Sequence, residues 1–471
     1  MTTKNFVRLM AAFSAIGFMH GTAFAEGCKK NDIAGCFSDP NLSWAQEPVA
    51  GLTADMIAAG PASKPELTQE EKDSKTIFCK YVYHKFDSPG SAKFNCARTN
   101  QNGTLFDEKG NLVDTAVRVA TEGETLSFNG AAVTVEEGVL VNLKNEPVTK
   151  TTKDGDVKLV KGDVFKIKYF VSDSERENKP RATRIVKFNN QDLVINNAFE
   201  NSPVIENSRW TEVFTEVAAT RLFWAMGLPA DVMIPLNKVV CMGCEVHPKD
   251  QTRYAGDKTV SIFNIAVMER KFDAKVMGKH WNLKDVLAQR DRWSANTKAE
   301  YDVMHLTMTA INFFNGIPLQ TRIVCLSDEN VKTENCSRPA PFFQDVGSSF
   351  GAEAGGLFGI GGNSRGDFDE FNKKSNRSVF KNAAKCEIKN FLSNKGPGRS
   401  HVAQAGLDEY KRRISAVTDD VLLAIYKTAR YELMEPKITA KKGSDRVLAD
   451  WVSATRQRIN QVTALNSCPQ D

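Results

Sequence analysis

Apolar residues change their spacing partway along the chain. In the first 210 residues they alternate with polar ones over short runs bounded by Gly, Pro and Asn; further on they recur every three or four positions. The run "TIFCKYVYHKF", the turn "SPGS" and the run "AKFNCART" predict strand, turn and strand, because aromatic and β-branched residues flank a Pro-Gly pair. "DVFKIKYFVSD" and "RATRIVKFN" predict a further strand pair around the polar "SERENKP", where the Pro180 ring confines the turn. Between the two pairs, valine-rich segments such as "AAVTVEEGVLVNL", separated by Gly and Asn turns, predict a small β insertion near 102–162. Residues 26–75 are rich in Pro, Gly and Asp, carry little periodicity and end in the charged run "EEKDSK"; they read as an extended leader that wraps the fold or links to it.

"RWTEVFTEVAATRLFWAMGLPAD" predicts a long helix, with Val213, Val217, Thr220, Phe223 and Trp224 on one face and Gly227 and Pro229 as the stop. "DVMIPLNKVVCMGC" and "TVSIFNIAVMERKFD" predict two more strands, followed by helices over 283–293 and 299–314. The second helix ends at the turn "NGIPLQ", and a β-branched run follows. From Gly398 onward three amphipathic helices are predicted, the second with Thr418 and Asp419 as caps. The order predicts an α+β chain: a β-rich part with one long helix over 76–268, then a helical part over 269–471.

Composition narrows the classes. With 471 residues, 41% hydrophobic and 25% charged, the chain has the make-up of an ordinary globular protein with a sizeable core. Its formal charge of +5 is small against 62 basic and 57 acidic residues, and no basic stripe with interleaved aromatics indicates nucleic acid.

The first 25 residues have the pattern of a secretory signal: Lys4 and Arg8, then the apolar "LMAAFSAIGF", then "AFA" as the cleavage site. Gly17, His20 and Gly21 break the apolar run before it could span a bilayer, and "AEGC" lacks the residues a lipoprotein signal requires. An exported protein, periplasmic or secreted and without a transmembrane segment, is expected. All ten cysteines follow the signal, which favours disulfides. Short spacing suggests Cys28 with Cys36, Cys79 with Cys96, Cys241 with Cys244 and Cys325 with Cys336, leaving Cys386 for Cys468; sequence alone leaves the connectivity open. "CMGC" could instead begin a zinc site, but no second cysteine pair has ligand spacing, so no zinc is expected.

A β-rich half with one long helix, then "NGIPLQ", a strand and "FQDVGSSFG", then a helical half, resembles the layout of the atypical protein-kinase-like group, which includes secretory-pathway kinases. The resemblance covers roughly Thr76 to the end and implies a two-lobed fold, with a β-rich N-lobe and a helical C-lobe. It further implies a strand lysine that orients phosphates and pairs with a helix glutamate. Lys187 of "RIVKF" and Glu216 of "FTEVAATRLFW" match that pair, with Lys168 and Glu212 as alternates. Asn315 stands in the slot of the catalytic aspartate and Gln320 in that of the metal-holding asparagine; Asp345 and Gly347 match the Asp-x-Gly motif, with Val346 in place of the usual aromatic.

The implied cofactor is ATP with Mg or Mn. An amide accepts no proton at neutral pH, so Asn315 could position a hydroxyl but not act as a base. "GAEAGGLFGIGGNSRGDF" corresponds to an activation segment, and "DSPGSAKF" to the phosphate-covering hairpin with one glycine where the family has three. The resemblance thus implies a degenerate phosphotransferase, or a pseudokinase that binds nucleotide or a protein partner. An envelope supplies little ATP, which favours binding without turnover; delivery into another cell would restore weight to phosphotransfer.

Two other readings stand beside it. A non-catalytic envelope-binding or structural protein needs no intact site and accommodates Asn315 directly. A carboxylate-dependent cell-wall hydrolase would use two acids distant in sequence, which leave no local signature. No "HExxH" occurs, which removes zinc proteases of that type.

Overall fold

The computed structural model describes residues 28–62, 66–82, 93–107, 111–113, 118–120, 123–135, 138–142, 144–169, 183–188, 191–196, 212–242, 259–263, 266–270, 272, 274–313, 318–327, 335–351, 366–388, 401–434 and 448–470. The expected signal, residues 1–25, lies outside them.

Alternating burial in β1 (Thr76–Val82), where Ile77 and Cys79 face the core, is the period-two pattern of a strand with one packed face. It belongs to a nine-stranded sheet with β2 (Lys93–Arg98), β3 (Val164–Tyr169), β4 (Thr183–Phe188), β5 (Gln191–Asn196), β6 (Val232–Leu236), β7 (Lys238–Met242), β8 (Thr259–Phe263) and β9 (Ala266–Arg270). The strand order is β4-β5-β8-β7-β1-β2-β3-β9-β6. Pairing is parallel at β5/β8 and β7/β1 and antiparallel elsewhere. The insertion between β2 and β3 is built of short antiparallel strand pairs over two small apolar clusters of its own, one around Leu105 and Leu140, the other around Leu126 and Val139.

Helix α1 (Glu212–Ala225) follows β5 and is buried along nearly all its described length. One apolar face was expected; the helix is covered on all sides because the leader packs over it, so its polar residues need internal partners. Thr220 donates to the Glu216 carbonyl (2.8 Å), and Arg221 donates to the Ile57 carbonyl of the leader (3.1 Å). Gly60, at φ 73°, ends the leader helix Ala54–Ala59, and a Cβ there would meet the Arg221 guanidinium at 2.3 Å. Further back in the leader, Trp44 is fully buried among Phe37, Trp281, Trp293 and Tyr301, and its backbone N–H donates to Glu300 (2.8 Å). Residues 28–60 therefore wrap the fold.

After the large sheet come β10 (Lys275–Lys279), α2 (Ala295–Ala310), β11 (Thr321–Cys325) and β12 (Pro339–Phe343), the three strands forming an antiparallel sheet with β11 in the middle. Helix α2 starts ahead of the expected position because Ser294 caps it, accepting from the Thr297 N–H (3.1 Å). The helix expected over 283–293 divides into Leu283–Leu287 and a 3-10 turn at Arg290–Arg292. The C-terminal helices are α3 (Gln404–Ile414), α4 (Asp419–Thr428, capped by Thr418) and α5 (Leu448–Thr463). Gly406 lets α3 approach α2, since a Cβ there would fall 2.3 Å from that of Asp302. Arg458 of α5 donates to the Ala310 carbonyl (2.9 Å), placing a cation at the carbonyl end of α2. One apolar core joins the leader, the large sheet, α1 and the C-terminal helices.

Disulfides join Cys28–Cys36, Cys79–Cys96, Cys325–Cys336 and Cys386–Cys468. Cys241 is disulfide-bonded as well, while Cys244 lies outside the described residues. Among the described residues no cysteine is free, and no helix is long and apolar enough to cross a membrane.

Candidate functional site

On β3, Phe165 and Ile167 point into the apolar core, so the alternation of the strand sends Lys166 and Lys168 to its other face. Lys168 is 2% exposed and meets the carboxylate of Glu216, which α1 presents one turn after its first residue. A second carboxylate, Glu269 of β9, lies 3.6 Å from the Lys168 ammonium and 2.7 Å from that of Lys166. The register between β3 and β9 sets Glu269 opposite Lys166, which explains how it reaches both lysines. Burial alone would push the Lys168 pKa down; the charges of Glu216, Asp345 and Glu269 outweigh it and hold the ammonium above the ordinary lysine range.

Asp345 arrives by another route. The antiparallel register of β11 and β12 sets Thr321 opposite Phe343, and the Gln344 N–H continues the ladder to the Gln320 carbonyl (2.7 Å). The next residue along, Asp345, therefore falls beside the Gln320 side chain, whose Nε2 donates to Asp345 Oδ2 (3.1 Å). Gln320 Oε1 is buried and has no hydrogen-bond partner among the described residues. A carboxylate and an amide carbonyl are oxygen donors of the kind a hard cation such as Mg or Mn takes.

The two routes are fastened together. Thr215, adjacent to Glu216, donates through Oγ1 to the Gly347 carbonyl (2.6 Å), and Val346 between Asp345 and Gly347 is fully buried. Downstream, the Phe350 N–H donates to the Ile311 carbonyl (2.8 Å) and the Asn312 amide donates to the Gly351 carbonyl. The end of α2 is thus clamped to the stretch that follows the Asp-x-Gly motif.

The structure brings together Lys168, Glu216, Asp345 and Gln320. Lys187, the first choice, is not the lysine seen beside Glu216. Lys187 sits on β4, six strand positions from β3 in the sheet order, a separation of roughly 28 Å along a sheet. The alternate, Lys168, is the one beside Glu216. Glu212 is the first residue of α1, and its side chain, like that of Lys187, lies outside what is described. Asn315 falls in 314–317, also outside the described residues. Sequence reasoning missed Glu269 and Thr215. An acid inside the apolar strand run "AVMER" was a usable signal, since a buried carboxylate demands a cation nearby.

No protein-family profile and no curated protein matches the chain. Among solved structures, it is similar to a Helicobacter pylori proinflammatory kinase, CtkA, at 11% identity and a TM-score of 0.32, over 64% of this chain and 87% of that one. A likeness that slight carries no argument about fold or activity.

Proposed function

We propose that the chain is an exported kinase-like protein, a degenerate phosphotransferase or pseudokinase, whose cleft between β3, α1 and Asp345 takes a nucleotide together with Mg or Mn. The observation that carries the reading is the buried Lys168–Glu216 pair with Asp345 acting electrostatically on the same ammonium. Ion pairs are costly to bury, and a lysine held charged between carboxylates is suited to receiving phosphate oxygens. Glu216 would orient the Lys168 ammonium toward the phosphates, and Asp345 with Gln320 Oε1 would hold the cation. When bound, that cation neutralises charge on the phosphate oxygens. Export is supported by the N-terminal pattern and by the disulfides.

Asn315 in the catalytic slot leaves the site without a base there, so turnover is slight, while positioning and electrostatics survive in part. Thermal unfolding with ATP and Mg or Mn tests the proposal. Ligand that binds only the folded state raises Tm, and Asp345→Asn is expected to abolish the rise. If no nucleotide and metal combination shifts the wild-type Tm, the nucleotide reading fails and a binding scaffold takes its place.

A further inference from the structure

Helix α2 ends in a left-handed turn of the kind that glycine usually makes. The Asn312 N–H donates to the Thr309 carbonyl (3.1 Å), the Phe313 N–H donates to the Met308 carbonyl (2.9 Å), and Asn312 itself stands at φ 53°. This is the Schellman pattern, in which the residue just past the helix is left-handed and glycine adopts that conformation without a Cβ penalty. Asparagine carries strain there. It is also 2% exposed, with Oδ1 buried and without a hydrogen-bond partner among the described residues. A glycine would end the helix with neither the strain nor the unsatisfied oxygen.

What the asparagine side chain adds is one bond, from Nδ2 to the Gly351 carbonyl. Beside it the Phe350 N–H donates to the Ile311 carbonyl (2.8 Å), and Phe350 is left-handed too, at φ 56°, a conformation that bulky residues seldom take. The Phe350 ring packs edge-on against Phe371, Tyr426 and Tyr431, with centroids 5.5, 5.7 and 6.0 Å away. The same stretch is fastened at its other end, where the Gln344 N–H donates to the Gln320 carbonyl (2.7 Å) and Gln320 Nε2 donates to Asp345 (3.1 Å). The chain between Asn312 and Gln320, which includes Asn315, is therefore stapled at both ends to the stretch that carries Asp345. Non-glycine residues in left-handed backbone persist where the surroundings over-determine them, and they gather at sites that need a fixed geometry.

We propose that Asn312 is a positioning residue of the candidate site: through Gly351 its amide sets Asp345 in register with the chain leading to Asn315. The inference rests on the nucleotide-and-cation reading of the cleft.

Asn312→Gly tests it, because glycine keeps the left-handed turn and removes only the amide. Binding of manganese in the presence of ATP is titrated by electron paramagnetic resonance, and stability of the unliganded chain is read by thermal unfolding. The expected result is an unliganded Tm at or above that of wild type, together with manganese–ATP affinity weaker by about 10- to 100-fold, the range seen when a residue supporting a metal ligand is lost. Affinity equal to wild type overturns the proposal and leaves the nucleotide reading standing. A weaker affinity matched by a large fall in the unliganded Tm assigns Asn312 to stability alone and overturns it as well. Wild-type chain that binds no manganese with ATP overturns both.

Discussion

The Thr215 hydroxyl donates to the Gly347 carbonyl at 2.6 Å, so the helix that carries Glu216 is tied, one residue away, to the segment that carries Asp345. Thr215 and Gly347 are both buried. Thr215→Val keeps the shape and strands the carbonyl, which should cost about 1–3 kcal/mol in urea denaturation; Thr215→Ser should recover most of it. Equal stability of the valine variant and the wild type would show that this tie is absent in solution.

Lys168 lies between two buried carboxylates, so Lys168→Met should cost about 3–5 kcal/mol, mainly from taking the ammonium away from Glu216, since Glu269 keeps Lys166 at 2.7 Å. The double change Lys168→Met/Glu216→Leu should cost less than the sum of the singles. Additivity in that cycle would mean the pair does not couple. Lys187→Met, on β4, should leave any nucleotide-induced rise in Tm intact.

Asn315→Asp would restore a carboxylate to the slot where the kinase-like reading needs one. The expected result is an unchanged nucleotide-induced shift with faster phosphoryl transfer to a test hydroxyl, read by radiolabel, on the order of tenfold or more. A loss of the shift instead would place residue 315 in contact with the nucleotide and count against the assigned role.

His305 in α2 is fully enclosed, and burial, with the Arg290 charge adding to it, lowers its pKa from 6.5 to about 4. The folded pKa is below the unfolded one, so the unfolded chain takes up the proton first as pH falls. The stability tied to the neutral ring is complete above pH 6.5 and is lost on the way down to about pH 4; its full size is about 3 kcal/mol. Denaturation curves across that interval should be flatter for His305→Leu than for wild type, and parallel curves would assign the acid loss to other groups.

Oxidised chain, unfolded without reductant, should accept no thiol label, because Cys28, Cys36, Cys79, Cys96, Cys241, Cys325, Cys336, Cys386 and Cys468 are all disulfide-bonded. Mass spectrometry after alkylation reads this directly. Two or more labelled cysteines would remove the disulfide framework.

Local pattern alone placed α1, the antiparallel β1–β2 pair and the Thr418 cap, and short spacing suggested, without fixing, the pairings Cys28–Cys36, Cys79–Cys96 and Cys325–Cys336 that the structure shows. Each depends on neighbours in sequence: side-chain period, turn chemistry, a cap within three residues, or a short loop to close. Cys386–Cys468, across 82 residues, was suggested only as what the short-spacing pairs left over.

Which lysine faces Glu216 was of another kind. "FKIKYF" and "RIVKF" are both apolar strands carrying a lysine, and nothing within either run says that β3 lies beneath α1 while β4 sits six places away. Strand order is set by contacts between residues far apart in the chain, and so are the approach of Glu269 to Lys168 and the burial of α1 under the leader. Sequence by itself determined the elements and the residue types available to the candidate site. Tertiary structure decided which of them meet, because a charge buried in the core takes as its partner whatever packing puts within reach.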